Sequence, residues 1–288
     1  MFQGSLVALI TPFKNGLVDF KTLAKLVEFQ IENGTDALVP VGTTGESPTV
    51  DVAEHEKIIE AVIKAADGRV PVIPGAGGNA TAEALELTKF AKKAGAAATL
   101  QVTPYYNKPT QEGLYRHFST IAEKVNLPIV LYNVPGRTSV SLAPATVARL
   151  AKNSNVVAIK EASGSMDQTS EILSLCDITV LSGDDSLTLS LMSIGAKGVI
   201  SVAANIVPKD VHDMTAAALK GDFAAAGVLH KKLFPLCRAM FLETNPIPVK
   251  TAAGLMGLCS PEVRLPLCEM GAGPKKQLEQ VMKDYGLI

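Results

Sequence analysis

The stretch Asn155-Val156-Val157-Ala158-Ile159-Lys160-Glu161-Ala162 decides how the chain is read. Its β-branched, apolar core is the pattern of a strand buried on both faces in a parallel sheet, and an ammonium group stands at its C-terminal end. A lysine beside apolar walls meets a desolvation penalty in its charged form. Its pKa then falls and the free amine becomes available as a nucleophile. The plainer reading is a solvated lysine where a strand stops. The choice depends on what surrounds it.

Outward from this run, strand-like and helix-like patterns alternate. Leu6–Ile10 is an apolar run closed by Thr11-Pro12, and helical spacing follows from Asp19 to about Asn33, with Gly34 as a stop signal. Ala37–Val41 reads as a second strand, weakened by Pro40, and leads into the polar loop Gly42-Thr43-Thr44-Gly45-Glu46-Ser47. A helix opens at Asp51, with Glu54 three residues on as a capping box. Val70–Gly75 is the third strand, Ala96–Val102 the fourth, Pro128–Tyr132 the fifth, Ile178–Ser182 the seventh and Lys197–Val202 the eighth. The run ending at Lys160 is the sixth. Helices are expected after Thr81, over Gln111–Val125, near Pro144–Ala151, over Ser186–Ile194 and over Pro208–Leu219.

Eight strand–helix repeats joined by short connections favour a parallel sheet that closes on itself. The expected fold is therefore an α/β (β/α)8 TIM barrel over residues 1–222, with a C-terminal helical appendage over 223–288, where the strand signal ceases. An open doubly wound sheet would carry a glycine-rich dinucleotide loop after strand one, and Thr11-Pro12-Phe13 is not one. In the appendage, Pro235 is expected to bend the first helix.

Composition narrows the function classes. The 288 residues carry 27 basic and 28 acidic side chains, so no strong charge points to nucleic acid or an anionic membrane as partner. No run reaches the roughly 20 apolar residues of a membrane helix, and the N-terminus lacks the basic start of a signal peptide. Cys176, Cys237, Cys259 and Cys268 form no C-x-x-C pair and stand near no histidine at metal spacing, which suits reduced thiols in a cytoplasmic protein without a metal. The histidines (His55, His117, His212, His230) fall in helical stretches as surface or capping residues.

Chemistry in such a barrel belongs at the C-terminal ends of the strands. Those ends carry Thr43 and Thr44 after strand two, Tyr105 and Tyr106 after four, Tyr132 and Arg137 after five, Lys160 after six, Gly183 after seven and Ile200 in eight. One amine, several phenols, paired hydroxyls and a guanidinium suit Schiff-base chemistry on a 2-oxo acid, with phenols moving protons. Singly, each has a plainer reading. Tyr132 could be a core aromatic, Thr43 and Thr44 turn formers, Arg137 a surface ion-pair partner, and Tyr105-Tyr106 a contact patch. Their collection on one rim favours the chemical reading.

Three of these stretches, Gly42–Ser47, Tyr132-Asn133-Val134-Pro135-Gly136-Arg137-Thr138 and Ile159-Lys160-Glu161-Ala162-Ser163-Gly164, resemble the signatures of the dihydrodipicolinate synthase / N-acetylneuraminate lyase family. Val102–Pro109 and Asn245-Pro246-Ile247-Pro248-Val249-Lys250 are similar to its synthase branch, and the likeness runs from Gly4-Ser5 to Arg264–Leu267. The resemblance implies condensation of pyruvate with L-aspartate 4-semialdehyde on the way to diaminopimelate and lysine. It implies Lys160 as the Schiff-base lysine, so that no other cofactor is called for, and Tyr132 as the general acid/base. Thr43 would link Tyr132 to Tyr106 of a neighbouring subunit, and Thr44 would hold the pyruvate carboxylate. Arg137 would meet the semialdehyde carboxylate, with Gly183 and Ile200 lining the site through backbone carbonyls. It further implies a homotetramer, as a dimer of dimers, and an L-lysine inhibition site at Ser47, His55, Asn79, Glu83 and Tyr105. At that site the chain departs from lysine-sensitive members: Val52 replaces a histidine and Pro48 a small alanine. Rival readings are a sugar-acid or sialic-acid lyase of the same family and a non-catalytic ligand-binding barrel.

Overall fold

The computed structural model describes residues 2–288. Strand β1 (Gly4–Ala8) is followed by a short hairpin, β2 (Phe13–Lys14) and β3 (Leu17–Val18), and by helix α1 (Phe20–Glu32). Then come β4 (Ala37–Val39), α2 (Val52–Ala66), α3 (Thr81–Ala94), β5 (Thr99–Val102) and α4 (Gln111–Val125). The central part holds β6 (Ile129–Asn133), the single turn α5 (Pro135–Thr138), α6 (Pro144–Leu150), β7 (Val156–Glu161) and α7 (Met166–Leu175). The barrel ends with β8 (Thr179–Ser182), α8 (Thr188–Ser193), β9 (Gly198–Ser201) and α9 (Pro208–Leu219), and α10 (Phe223–Ala239), α11 (Ile247–Leu255) and α12 (Ala272–Tyr285) follow.

Seven parallel strands form one sheet in the order β4-β1-β9-β8-β7-β6-β5. The eighth stave, expected over Val70–Gly75, is no regular strand. Pro71 and Pro74 have no N–H to give to a ladder, and only single bridges survive, Leu38 to Val72 and Gly75 to Leu100. The remaining groups still close the barrel. On one side the Leu38 N–H donates to Pro71 O (3.0 Å) and the Ile73 N–H to Leu38 O (2.8 Å). On the other, the Leu100 N–H donates to Pro74 O (2.9 Å) and the Ala76 N–H to Leu100 O (2.9 Å). The expected (β/α)8 barrel is therefore present, with one stave held by prolyl carbonyls.

The period-two alternation of each strand sorts its side chains between two cores. Leu6, Val39, Leu100, Val130, Ala158, Leu181 and Ile200 fill the barrel interior. Their neighbours Val7, Leu38, Leu131, Ile159, Val180 and Val199 pack against the helices. That outer core continues into Leu233 and Leu236 of α10, Val249 of α11, and Leu278 and Met282 of α12.

Other elements depart from the sequence expectation. The β2–β3 hairpin and helix α7, capped by Ser165 accepting from the Gln168 N–H, were not anticipated. The cap at Asp51 shares its glutamate with a distant arginine. Asp51 accepts from the Glu54 N–H (2.8 Å), and the Glu54 carboxylate makes its main bonds to the Arg264 guanidinium. Pro235 lies within α10. No described helix is long and apolar enough to cross a membrane.

The histidines are helical, yet two are not surface residues: His55 and His117 are buried. His117 Nδ1 lies 2.9 Å from Thr81 Oγ1, and burial pulls its pKa down to about 4. An unfolded chain protonates this histidine near pH 6.5. Between pH 6.5 and 4 the unfolded state therefore holds more protons, and stability is lost as pH falls through that window. The contribution is at most roughly 3 kcal/mol. Urea midpoints of wild type and His117→Asn at pH 7 and pH 4.5 check this. The wild type should lose more stability than the variant, and parallel losses would remove His117 as the cause.

Candidate active site

The alternation that fills the barrel also aims the site. Ala158 faces inward, so Lys160, two residues on, faces inward too, and Val130 stands in the same relation to Tyr132. Tyr132 and Lys160 are register partners on β6 and β7. Lys160 Nζ sits 4.4 Å from the centre of the Tyr132 ring, and both side chains are buried. The solvated-lysine reading is thereby excluded, since Lys160 is 5% exposed.

After β4 the chain turns sharply. Val41, a β-branched residue, holds φ +49°, a costly conformation for its type. It is enforced by close packing: a Cβ on Gly75 would lie 2.4 Å from Val41 O, so only glycine lets the third stave pass here. The turn presents Thr43 and Thr44. Thr43 and Tyr132 share the wall of a small void of about 40 Å³. Thr44 is buried, and its Oγ accepts from Asn245 Nδ2 at 3.0 Å. Arg137, on the turn α5, donates through Nη2 to Asn245 O at 3.1 Å. Ile200 is fully buried in the barrel interior. The Gly183 N–H donates to Glu161 O at 2.7 Å.

Tyr106 does not join this group. It is 89% exposed, with φ +73°. Tyr105, its neighbour, lines a cavity of about 380 Å³ with Thr43, Ser47, His55, Glu83 and Arg137. Four of the five residues named for lysine inhibition thus share one space with Thr43, named for catalysis, and Arg137, named for substrate binding. Asn79 is attached to its edge, donating through Nδ2 to Tyr105 O at 3.3 Å. His55 Nε2 lies 2.7 Å from Gly75 O. Burial lowers the His55 pKa against the opposing pull of that bond and of Glu83. Burial, with Glu83 adding to it, raises that of Tyr105.

Sequence reading missed several groups behind the rim. Asp185 is buried. Its carboxylate accepts from the Ser201 hydroxyl and from the Val202 (2.9 Å) and Ala203 (3.3 Å) N–H groups. Burial pushes Asp184 and Asp185 above the usual carboxylate range, and the Lys160 charge works against it. The sequence signal was the acidic pair directly after Gly183. On the outer face of β7, Glu161 accepts from Asn133 Nδ2 (3.1 and 3.2 Å) and from the Ser163 N–H (2.8 Å), bracing the strand that carries Lys160. Among the described residues no group of three or more histidine, cysteine or acidic side chains is placed to hold a metal ion. The four cysteines are unpaired.

Residues 1–285 match the profile of the dihydrodipicolinate synthetase family. The chain belongs to this family. A 4-hydroxy-tetrahydrodipicolinate synthase from Geobacter sulfurreducens is 60% identical over the whole of both chains. A crystal structure of dihydrodipicolinate synthase superimposes with a TM-score of 0.99 at 58% identity, covering both chains completely. A synthase of this type from Cyanidioschyzon merolae with lysine bound superimposes at 0.97 and 41% identity, covering 100% of this chain and 99% of that one. Family membership places the chain among the lyases.

Within this family frame, Gly183 provides a direct check on the rim geometry. A Cβ there would lie 2.5 Å from Ala162 Cβ, forcing β8 away from β7 just beyond Lys160. A displacement of roughly 1 Å costs on the order of 100-fold in rate. Gly183→Ala should accordingly lower kcat by about 10- to 100-fold. Gly227→Ala, where a Cβ meets nothing within 4 Å, should leave kcat unchanged and raise the melting temperature slightly. Equal activity of the two variants would contradict the argument.

Proposed function

We propose that the chain is a 4-hydroxy-tetrahydrodipicolinate synthase, condensing pyruvate with L-aspartate 4-semialdehyde in lysine biosynthesis through diaminopimelate. The observation that carries the reading is the buried Lys160 amine 4.4 Å from the centre of the Tyr132 ring, at the C-terminal rim of the barrel. Lys160 Nζ attacks the ketone carbon of pyruvate, and the carbinolamine loses water to leave a C=N bond. Loss of a methyl proton gives an enamine, whose carbon bonds to the aldehyde carbon of the second substrate. That substrate's own amino group then adds to the imine carbon and displaces Lys160, closing the ring and freeing the amine. The bond-forming steps need only the lysine and proton carriers, and the reading calls on no further cofactor.

Tyr132 carries protons to and from the carbinolamine oxygen and the aldehyde oxygen. Thr43, on the same void, passes them on to Tyr106 of a neighbouring chain. The 89% exposure of Tyr106 suits a residue donated across an interface. A homotetramer built as a dimer of dimers, working in the cytoplasm, belongs to this reading. Thr44 takes the pyruvate carboxylate and Arg137 that of the semialdehyde, while Gly183 and Ile200 present backbone carbonyls. Arg137 favours this substrate over the polyol of a sugar-acid lyase, which has no use for a cation there.

Borohydride added with pyruvate should leave a covalent adduct on Lys160, absent from Lys160→Ala. An unmodified Lys160 would end the Schiff-base reading. Aspartate semialdehyde should be turned over and sugar acids should not; the reverse preference would make the chain a lyase of the sugar-acid kind.

The inhibition site keeps Glu83 to receive the lysine amine, whereas Val52 withdraws a polar partner. Inhibition by L-lysine is therefore expected, weaker than in histidine-bearing relatives, and Val52→His should strengthen it. Full activity at millimolar lysine would refute the site.

A further inference from the structure

The loop that presents Thr43 and Thr44 is tied from behind by a fully buried ion pair. Lys250 Nζ, on α11, lies 2.7 Å from Glu46 Oε1, and neither side chain has any solvent access. Glu46 Oε2 accepts the Arg264 N–H at 3.0 Å. The Lys250 ammonium stands 4.2 Å from the centre of the Phe13 ring, and the Arg264 guanidinium carbon 4.3 Å from it. Glu46 holds φ +57°, two residues after Thr44. Burial lowers the Lys250 pKa, and Glu46 opposes the shift.

A buried ion pair is a poor device for stability alone, because well-packed apolar side chains of similar volume serve as well or better. Its value here is directional. It fixes the backbone of the loop against α11, and the residues leading into α11 touch both groups proposed to hold substrate carboxylates. Asn245 Nδ2 donates to Thr44 Oγ1 at 3.0 Å, and Asn245 O accepts from Arg137 Nη2 at 3.1 Å. A threonine hydroxyl has one proton. Because its oxygen accepts from Asn245, that proton is left to donate into the site, the sense a carboxylate requires.

We infer that Glu46, Lys250 and Asn245 are positioning residues: the ion pair seats the loop, and Asn245 orients the Thr44 hydroxyl and the Arg137 guanidinium toward the substrate carboxylates. This rests on the functional reading above. The C-terminal helical segment thereby becomes part of the substrate-binding apparatus.

Two variants separate positioning from mere support. Asn245→Asp keeps the side-chain shape but has no N–H to give, so the Thr44 hydroxyl turns to donate to the new carboxylate. KM for pyruvate should rise about tenfold or more, the loss of one oriented hydrogen bond, in the folded variant. The double variant Glu46→Leu/Lys250→Met replaces the pair by apolar side chains. It should melt near the wild-type temperature yet show a KM for pyruvate raised about tenfold, with kcat reduced less. Pyruvate dependence is read both from turnover and from the rate of borohydride trapping on Lys160. Wild-type KM in Asn245→Asp, or in a folded double variant, overturns the inference. Wild-type chain that traps no pyruvate overturns the functional reading instead. Should the double variant not fold, Asn245→Asp decides alone.

Discussion

Everything in this molecule depends on closing a ring of parallel strands around an interior filled with side chains. Once the ring is closed, alternate residues of each strand have no choice of face, and the last inward position of β7 is Lys160. Its amine is carried on a stem packed among apolar neighbours and emerges beside a phenol. Closure is achieved although one stave, Pro71 to Ala76, supplies an incomplete set of donors, because its carbonyls still receive N–H groups from both neighbours. Backbone geometry, more than any local side-chain contact, puts the Lys160 amine where it is.

Much of this was legible in the sequence, for reasons that can be named. The β-branched run ending at Lys160 is long and regular enough to read as a buried strand, and its period of two places the amine inside without further information. The rim residues after β4, β6, β7 and β8 follow from strand ends. The third stave misled because Val70–Gly75 is apolar and flanked by turns, so that its composition reads as a strand while its two prolines prevent a ladder. The β2–β3 hairpin escaped because each strand has only two residues, too few for a period. Helix α7 was overlooked although Ser165 marks its start.

The hidden part of the site is remote in sequence. Asn245 meets Thr44 across 201 residues, and Lys250 meets Glu46 across 204. No spacing rule reaches so far. A lysine in an apolar stretch and a glutamate in a polar loop each look solvated until the fold removes water from both. Removing one partner alone would strand a bare charge in the core, at a cost of about 3–5 kcal/mol. Asp185 was easier to suspect, standing directly after a strand end, but its partners on Ser201, Val202 and Ala203 come from the next stave.

The cavity shared by Thr43, Ser47, His55 and Glu83 has an evolutionary corollary. On the proposed reading a single loop walls both the reaction and the effector, so a substitution within it bears on both at once. Positions on the outer wall escape that double accountability. Val52, half-exposed on the first turn of α2, lines the same cavity from outside that loop. Divergence in feedback control among such enzymes has an open route through residues of this kind, while the loop itself is left little freedom to drift.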